Sequence, residues 1–223
     1  IDSISIIIPI YNEEQAIKKN SVFFLKSFEK INGDYEVIFV ESGSDDNSLS
    51  ELRLLEKKFR ILIFQEAKRN GYGSAIKLGF QNSKFKRICF FPIDDQYDAE
   101  ELVEILNNSN SSNIITFRKS SYNGYFRKIQ SNLFKKITKL LLNLQFTDIN
   151  SLKIISKKHF ENFSRFSNNW NIDLEILIYI QKNNIMYDEI GIKFKKRNIG
   201  NSKVDLLDAI NMIVNLIKLK LRG

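Results

Sequence analysis

Short apolar runs alternate with helix-length segments through the first half of the chain, and this alternation limits the fold more than any other feature. Ser3 to Ile10, Tyr35 to Val40, Ile61 to Phe64, Ile88 to Phe91 and Ile114 to Phe117 are rich in β-branched and aromatic residues and too short for helices. Between them, helices are predicted from Tyr11-Asn12-Glu13-Glu14 to about Lys30, over Ser48 to Lys58, and from Gly71-Tyr72-Gly73 to about Asn82. A fourth is predicted over Glu100 to Leu106, with Asp98 as N-cap before Ala99. Strands alternating with helices imply an α/β fold with a mostly parallel sheet and right-handed crossovers.

The runs end in oxygen-bearing side chains. Ile88 to Phe91 stops in Pro92-Ile93-Asp94-Asp95-Gln96, the first run is followed by Glu13, and the second ends in Glu41-Ser42. Ligands of open α/β sheets gather at the carboxyl ends of strands. Carboxylates there can take ribose hydroxyls, base N–H groups or a hard cation that wants oxygen ligands. Any one of these ends alone also reads as a solvated strand-to-helix turn. Two nucleotide motifs are missing. The first strand-to-helix turn, PIYNEE, has no glycine, which argues against a dinucleotide-binding loop, and Gly71-Tyr72-Gly73 lacks the Lys-Ser/Thr of a P-loop.

The second half changes character. A long helix is predicted over Tyr125 to Leu144, striped by Phe126, Ile129, Leu133, Ile137, Leu140, Leu141 and Leu144. An extended piece over Leu152 to Ile155, a helix over Asn171 to Lys182 and a strand over Met186 to Phe194 follow. The last predicted helix, Val204 to Leu221, is apolar on one side and basic at its end. Residues 1–112 hold 14 basic and 18 acidic residues, whereas 113–223 hold 20 basic and 8 acidic. Such asymmetry fits a cation site in one half and an anionic partner for the other; a solvated lysine-rich surface is the plainer alternative. Cys89 lies inside an apolar run, as expected of a buried structural thiol, and one histidine rules out multi-His metal chemistry. No secretory signal is apparent, nor an apolar run of the roughly 18 residues needed to span a membrane. A cytoplasmic protein is expected.

Read in order, SIIIPIYNEE, EVIFVESGSDDNS, GYGSAIKLGF and FFPIDDQYDAEEL resemble the inverting glycosyltransferases of family 2, whose fold is GT-A. FRKSSYNGYFRKIQSN, TDINSLKIISK and KRNIGNSK resemble the dolichyl-phosphate mannose synthase-like branch. The resemblance covers essentially the whole chain. It implies that Pro9, Tyr11 and Glu13 flank the nucleoside, with Glu41 where the family usually has an aspartate that reads the base or ribose, and Ser42 also on the nucleotide. Asp94 and Gln96, with Asp95, would hold Mg²⁺ or Mn²⁺ beside the sugar diphosphate. Arg118, Arg127 and Ser131 would hold the acceptor phosphate, and Arg197 and Lys203 would close over the diphosphate. The chain departs from the pattern in three motifs: Pro92 stands where the family's D-x-D has its first aspartate, Glu41-Ser42 replaces an acidic pair, and Leu152 replaces a glycine.

These roles form a coherent chemistry. Charge builds on the leaving diphosphate, and a cation with Arg and Lys side chains stabilises it. A phosphate acceptor is already anionic and needs positioning rather than a strong base. A saccharide hydroxyl acceptor would need a base carboxylate; Asp148 is the candidate, with a loop-capping role as the alternative. The expected activity is transfer of mannose or glucose from GDP-mannose or UDP-glucose to a polyprenyl phosphate. A hydroxyl acceptor, or a nucleotide-sugar-binding protein without turnover, are the alternatives. No nucleic-acid partner is expected. The expected organisation is one GT-A domain: a nucleotide-sugar half over 1–112, an acceptor half over 113–203, and a C-terminal amphipathic helix over 204–223. The basic helices at 125–144 and 204–221 suit docking at the cytoplasmic face of a membrane.

Overall fold

The computed structural model describes residues 3–119, 138, 142–160 and 162–195. Seven strands form one sheet in the order β3-β2-β1-β4-β6-β5-β7. They are β1 (Ile4–Ile10), β2 (Tyr35–Glu41), β3 (Leu62–Gln65), β4 (Arg87–Phe90), β5 (Ile114–Arg118), β6 (Lys153–Ser156) and β7 (Asp188–Ile192). The helices are α1 (Glu14–Phe28), α2 (Ser48–Glu56), α3 (Tyr72–Asn82), α4 (Ala99–Asn108) and α5 (Ile172–Lys182). The pairs β1–β2, β1–β4, β2–β3 and β5–β7 are parallel, which bears out the mostly parallel sheet. The exception is β6, which runs antiparallel between β4 and β5. The sequence marked an extended piece there but carried no sign of its direction.

Both sheet faces are covered. The alternating strand pattern sends Ile6, Ile8, Val37 and Phe39 into one core with α1, α2 and α4. Ile7, Ile38 and Val40 enter the other, with α3 and α5. A strand buried on both faces must be apolar without interruption, as β1 is apart from Ser5 and Pro9. Phe91 continues β4 and receives Phe24 and Phe28 edge-on, with ring centroids 5.1 and 5.5 Å away. The N-terminus of α4 is capped by Asp98, whose carboxylate accepts the Glu100 and Glu101 backbone N–H groups at 3.1 and 3.3 Å. Cys89 is fully buried and unpaired, and burial pushes its thiol up to about 12.

Two expected elements fall mostly outside the described residues. Of the helix expected over 125–144, Thr138 and Leu142 are helical. The helix expected over 204–221 lies wholly outside. Among the described residues, no helix is long and apolar enough to cross a membrane.

Candidate active site

The carboxyl ends of β1, β2, β4 and β5 open into one cavity of about 630 Å³. Pro9, Tyr11, Glu13 and Ser42 line it at one end; Pro92, Asp94 and Gln96 line its middle strand end; Arg118 lines it beyond. Two loops close the near end by cross-bracing. Asn12, with φ 52°, donates its backbone N–H to Ser44 Oγ (3.0 Å) and accepts the Asp45 N–H on its own Oδ1 (2.8 Å). The Glu13 N–H donates to Ser48 Oγ at 2.9 Å, and the Glu14 N–H to Asp46 Oδ2 at 3.1 Å. Glu41 belongs to this brace. It is buried and accepts the Ser44 N–H at 2.6 Å, and it is not among the cavity-lining residues. Ser42 does line the cavity, and its buried hydroxyl has no hydrogen-bond partner among the described residues. Arg69 lies over the Tyr11 ring at 4.3 Å, a contact between loops that the sequence did not disclose.

After β4, the Gln96 backbone N–H donates to Asp94 Oδ1 at 3.3 Å. Asp95 adopts a left-handed conformation (φ 58°) and does not line the cavity, so Asp94 and Gln96 are brought together there without it. Among the described residues no group of three or more His, Cys, Asp or Glu is placed to hold a metal. The oxygen donors still fit one kind of cation. Mg²⁺-like ions are held by one or two carboxylates and complete their shell with substrate phosphates and water. Asp94, the Gln96 amide and the Pro92 carbonyl would supply the protein's share. The turn is fixed from two sides: Asn20 on α1 donates to the Ile93 carbonyl at 2.8 Å, and the Lys195 N–H to the Gln96 carbonyl at 2.7 Å.

At the far end Arg118 meets Asp148 in a fork, Nε to Oδ2 at 2.6 Å and Nη2 to Oδ1 at 2.9 Å. Asp148 is 2% exposed and also accepts the Asn150 N–H at 3.2 Å, so it caps its own loop as well. Burial works against the charge on Arg118, and the Asp148 hydrogen bonds and negative charge more than offset it, so its pKa is raised. Phe194 packs under the guanidinium at 4.9 Å. As a general base Asp148 is badly placed: it stands behind Arg118, outside the cavity lining, with both oxygens occupied. Arg127, Ser131, Arg197 and Lys203 lie outside the described residues.

Sequence reasoning missed one wall. Tyr72 and Trp170 stack at 4.4 Å and 11°, and both line the cavity with Asn169, Asn171, Lys153 and Asp173. Lys153, 1% exposed, donates to the Ile149 and Ser151 carbonyls and to Asp173 Oδ1 at 2.9 Å. Burial pushes the Tyr72 hydroxyl well above its ordinary range, and the Asp173 charge beside it adds to this. The Gly71-Tyr72-Gly73 signal was visible. What it packs against, nearly a hundred residues later, was not.

Sheet, crossovers and strand-end cavity define an open α/β enzyme of the GT-A class. Residues 5–184 match the model of glycosyl transferase family 2, and the chain belongs to that family. It is a family 2 glycosyltransferase. It is 24% identical over 222 residues to an undecaprenyl-phosphate 4-deoxy-4-formamido-L-arabinose transferase of Proteus mirabilis (strain HI4320), covering 97% of this chain and 67% of that one. Glucosyl-3-phosphoglycerate synthase from Mycobacterium tuberculosis, solved with Mn²⁺, UDP-glucose and phosphoglyceric acid, superposes with a TM-score of 0.72. That match is at 14% identity, over 98% of this chain and 80% of that one. S. aureus TarS superposes with a TM-score of 0.54 at 17% identity, over 79% of this chain and 54% of that one.

Proposed function

We propose that this protein transfers a hexose, mannose or glucose, from GDP-mannose or UDP-glucose to a polyprenyl phosphate, with inversion. The observation that carries the reading is the Arg118–Asp148 fork at the cavity wall. A guanidinium has five N–H donors in a fixed plane. Two are committed to Asp148, which leaves the cavity a positioned cationic edge suited to an anion. The Proteus mirabilis relative is named for transfer to undecaprenyl phosphate, which supports the same acceptor class.

In this reading the nucleoside lies at the Pro9, Tyr11, Glu13 and Ser42 end, with the diphosphate beside Asp94 and Gln96. Bound there, Mg²⁺ or Mn²⁺ would stabilise the charge that develops on the leaving diphosphate. Arg118 orients the acceptor phosphate so that one oxygen faces the anomeric carbon opposite the leaving group. A bond forms from that oxygen to carbon as the carbon–diphosphate bond breaks, which inverts the centre. No proton need be removed from the acceptor. A saccharide hydroxyl would require an available base. Of the carboxylates at the Arg118 and Trp170 walls, Asp148 is held by Arg118 and Asp173 by Lys153, while Asp94 and Glu13 stand at the proposed diphosphate and nucleoside ends.

The acceptor lives in a bilayer, so we place the reaction at a membrane surface on its cytoplasmic side. The basic balance of residues 113–223 supports this. The test is transfer from each sugar nucleotide to a short polyprenyl phosphate and to the matching polyprenol. Product from the phosphate alone supports the reading; product from the alcohol, or from a free saccharide in preference to both, overturns it.

A further inference from the structure

The wall built from Tyr72 and Trp170 has no role in the account above. Trp170 lines the cavity yet is 55% exposed. Its ring is backed by Tyr72, nearly parallel to it. Tyr72 lies beside the Asp173 carboxylate, which the buried ammonium of Lys153 holds at 2.9 Å. The loop carrying Trp170 is pressed against the turn before α3. A Cβ on Gly71 would run into the Asn168 carbonyl oxygen, and one on Gly73 into the Ser167 carbonyl oxygen.

The surroundings indicate what such a plate would bind. Tyr11 at the β1 end carries a cation, Arg69, and suits a flat or anionic group. Around Trp170 the polar groups are instead the amides of Asn169 and Asn171 and the carboxylate of Asp173. An aromatic face is electron-rich and attracts the slightly positive C–H groups of a sugar ring. The amides at its margin can pair with sugar hydroxyls. Among the described residues, the cation of this wall is Lys153, whose ammonium is already engaged by three oxygens.

We propose that the Tyr72–Trp170 stack is the platform on which the pyranose of the donor lies, so that it separates a sugar nucleotide from the bare nucleotide. This rests on the donor class proposed above. Asn169 and Asn171 then read hydroxyls, and Lys153 and Asp173 are positioning residues acting through Tyr72.

Trp170 is the sole tryptophan of the chain, so its fluorescence reports this site alone. GDP-mannose and GDP, and UDP-glucose and UDP, are titrated into the full chain with emission recorded, and calorimetry gives the affinities. The sugar nucleotide that binds should shift Trp170 emission, and its bare nucleotide should not. Trp170→Ala should weaken that sugar nucleotide by about tenfold, the size of one aromatic contact, leaving the bare nucleotide within about twofold. Trp170→Phe should recover most of the loss. Equal emission shifts with sugar nucleotide and bare nucleotide, equal weakening of both by Trp170→Ala, or no weakening of either would overturn the platform and leave the transferase reading standing. A shift produced by polyprenyl phosphate alone would assign the wall to the lipid and overturn it too. Failure of every nucleotide to bind wild-type protein would remove the proposed donor and the platform together.

Discussion

Arg118 on β5 and Asp148, thirty residues later, form a two-point ion pair with side chains 13% and 3% exposed, so the cation at the cavity wall has its counter-ion behind it. Desolvation of both groups is offset only while both are present. Asp148→Asn should therefore cost about 3–5 kcal/mol, the penalty for stranding a buried charge. The melting temperature should fall by roughly 6–20 °C, at about 2–4 °C per kcal/mol for a chain of this size. The double replacement Arg118→Met with Asp148→Leu should recover much of that stability while remaining inactive. A melting temperature unchanged in Asp148→Asn would mean that the pair contributes little.

Asp94 is the carboxylate that the β4 end presents to the cavity, without Asp95 beside it. Asp94→Asn keeps the shape and removes the charge that a divalent cation needs. Transfer should fall by at least about a hundredfold, and the Mn²⁺ or Mg²⁺ concentration for half-activity should rise. Wild-type activity should vanish in excess chelator and return on adding either ion. Full activity in chelator, or a metal requirement unaltered in Asp94→Asn, contradicts the assignment.

Asp98 tests the local structure that holds that strand end. Burial raises its pKa, and the Glu101 and Glu100 N–H groups and Lys195 more than offset this, so the net value lies below the ordinary range. A depressed folded pKa gives stability that is present above the unfolded value and lost as pH falls through the folded one. Asp98→Ala should destabilise the protein by about 1 kcal/mol at neutral pH, as for other N-caps. The difference from wild type should shrink as pH drops below about 4. Denaturant midpoints at pH 7 and pH 3 measure this, and a difference that grows at low pH would reverse the sign.

Much of the fold was legible because a sheet buried on both faces needs uninterrupted apolar strands, and the strand spacing leaves room only for helical crossovers. The N-cap at Asp98 was legible because it lies within four consecutive residues, Asp98 to Glu101. The site was legible only where it is local. Tyr11, Glu13, Ser42, Asp94, Gln96 and Arg118 sit at strand ends and do line the cavity. Glu41 has the same sequence setting as Ser42, yet it turns back to brace Ser44. Asp95 is adjacent to Asp94, yet a left-handed turn takes it away. Strand β6 could not be oriented, because the pairing of Ile154 with Cys89 and Ile114 joins segments far apart in sequence. For the same reason the Trp170 wall was invisible: it needs the α3 turn and the residues before α5 to meet.

The central claim is that Arg118 acts on the acceptor and not on the donor. It is tested most directly by Arg118→Gln, with sugar-nucleotide affinity measured by calorimetry and transfer measured against polyprenyl phosphate concentration. A charge-assisted contact is worth roughly 1.5–3 kcal/mol. The account predicts that kcat/KM for the acceptor falls by about 10- to 150-fold while donor affinity stays within about twofold. Loss of donor affinity with acceptor kinetics unchanged would contradict it and place the nucleotide at the Arg118 end of the cavity.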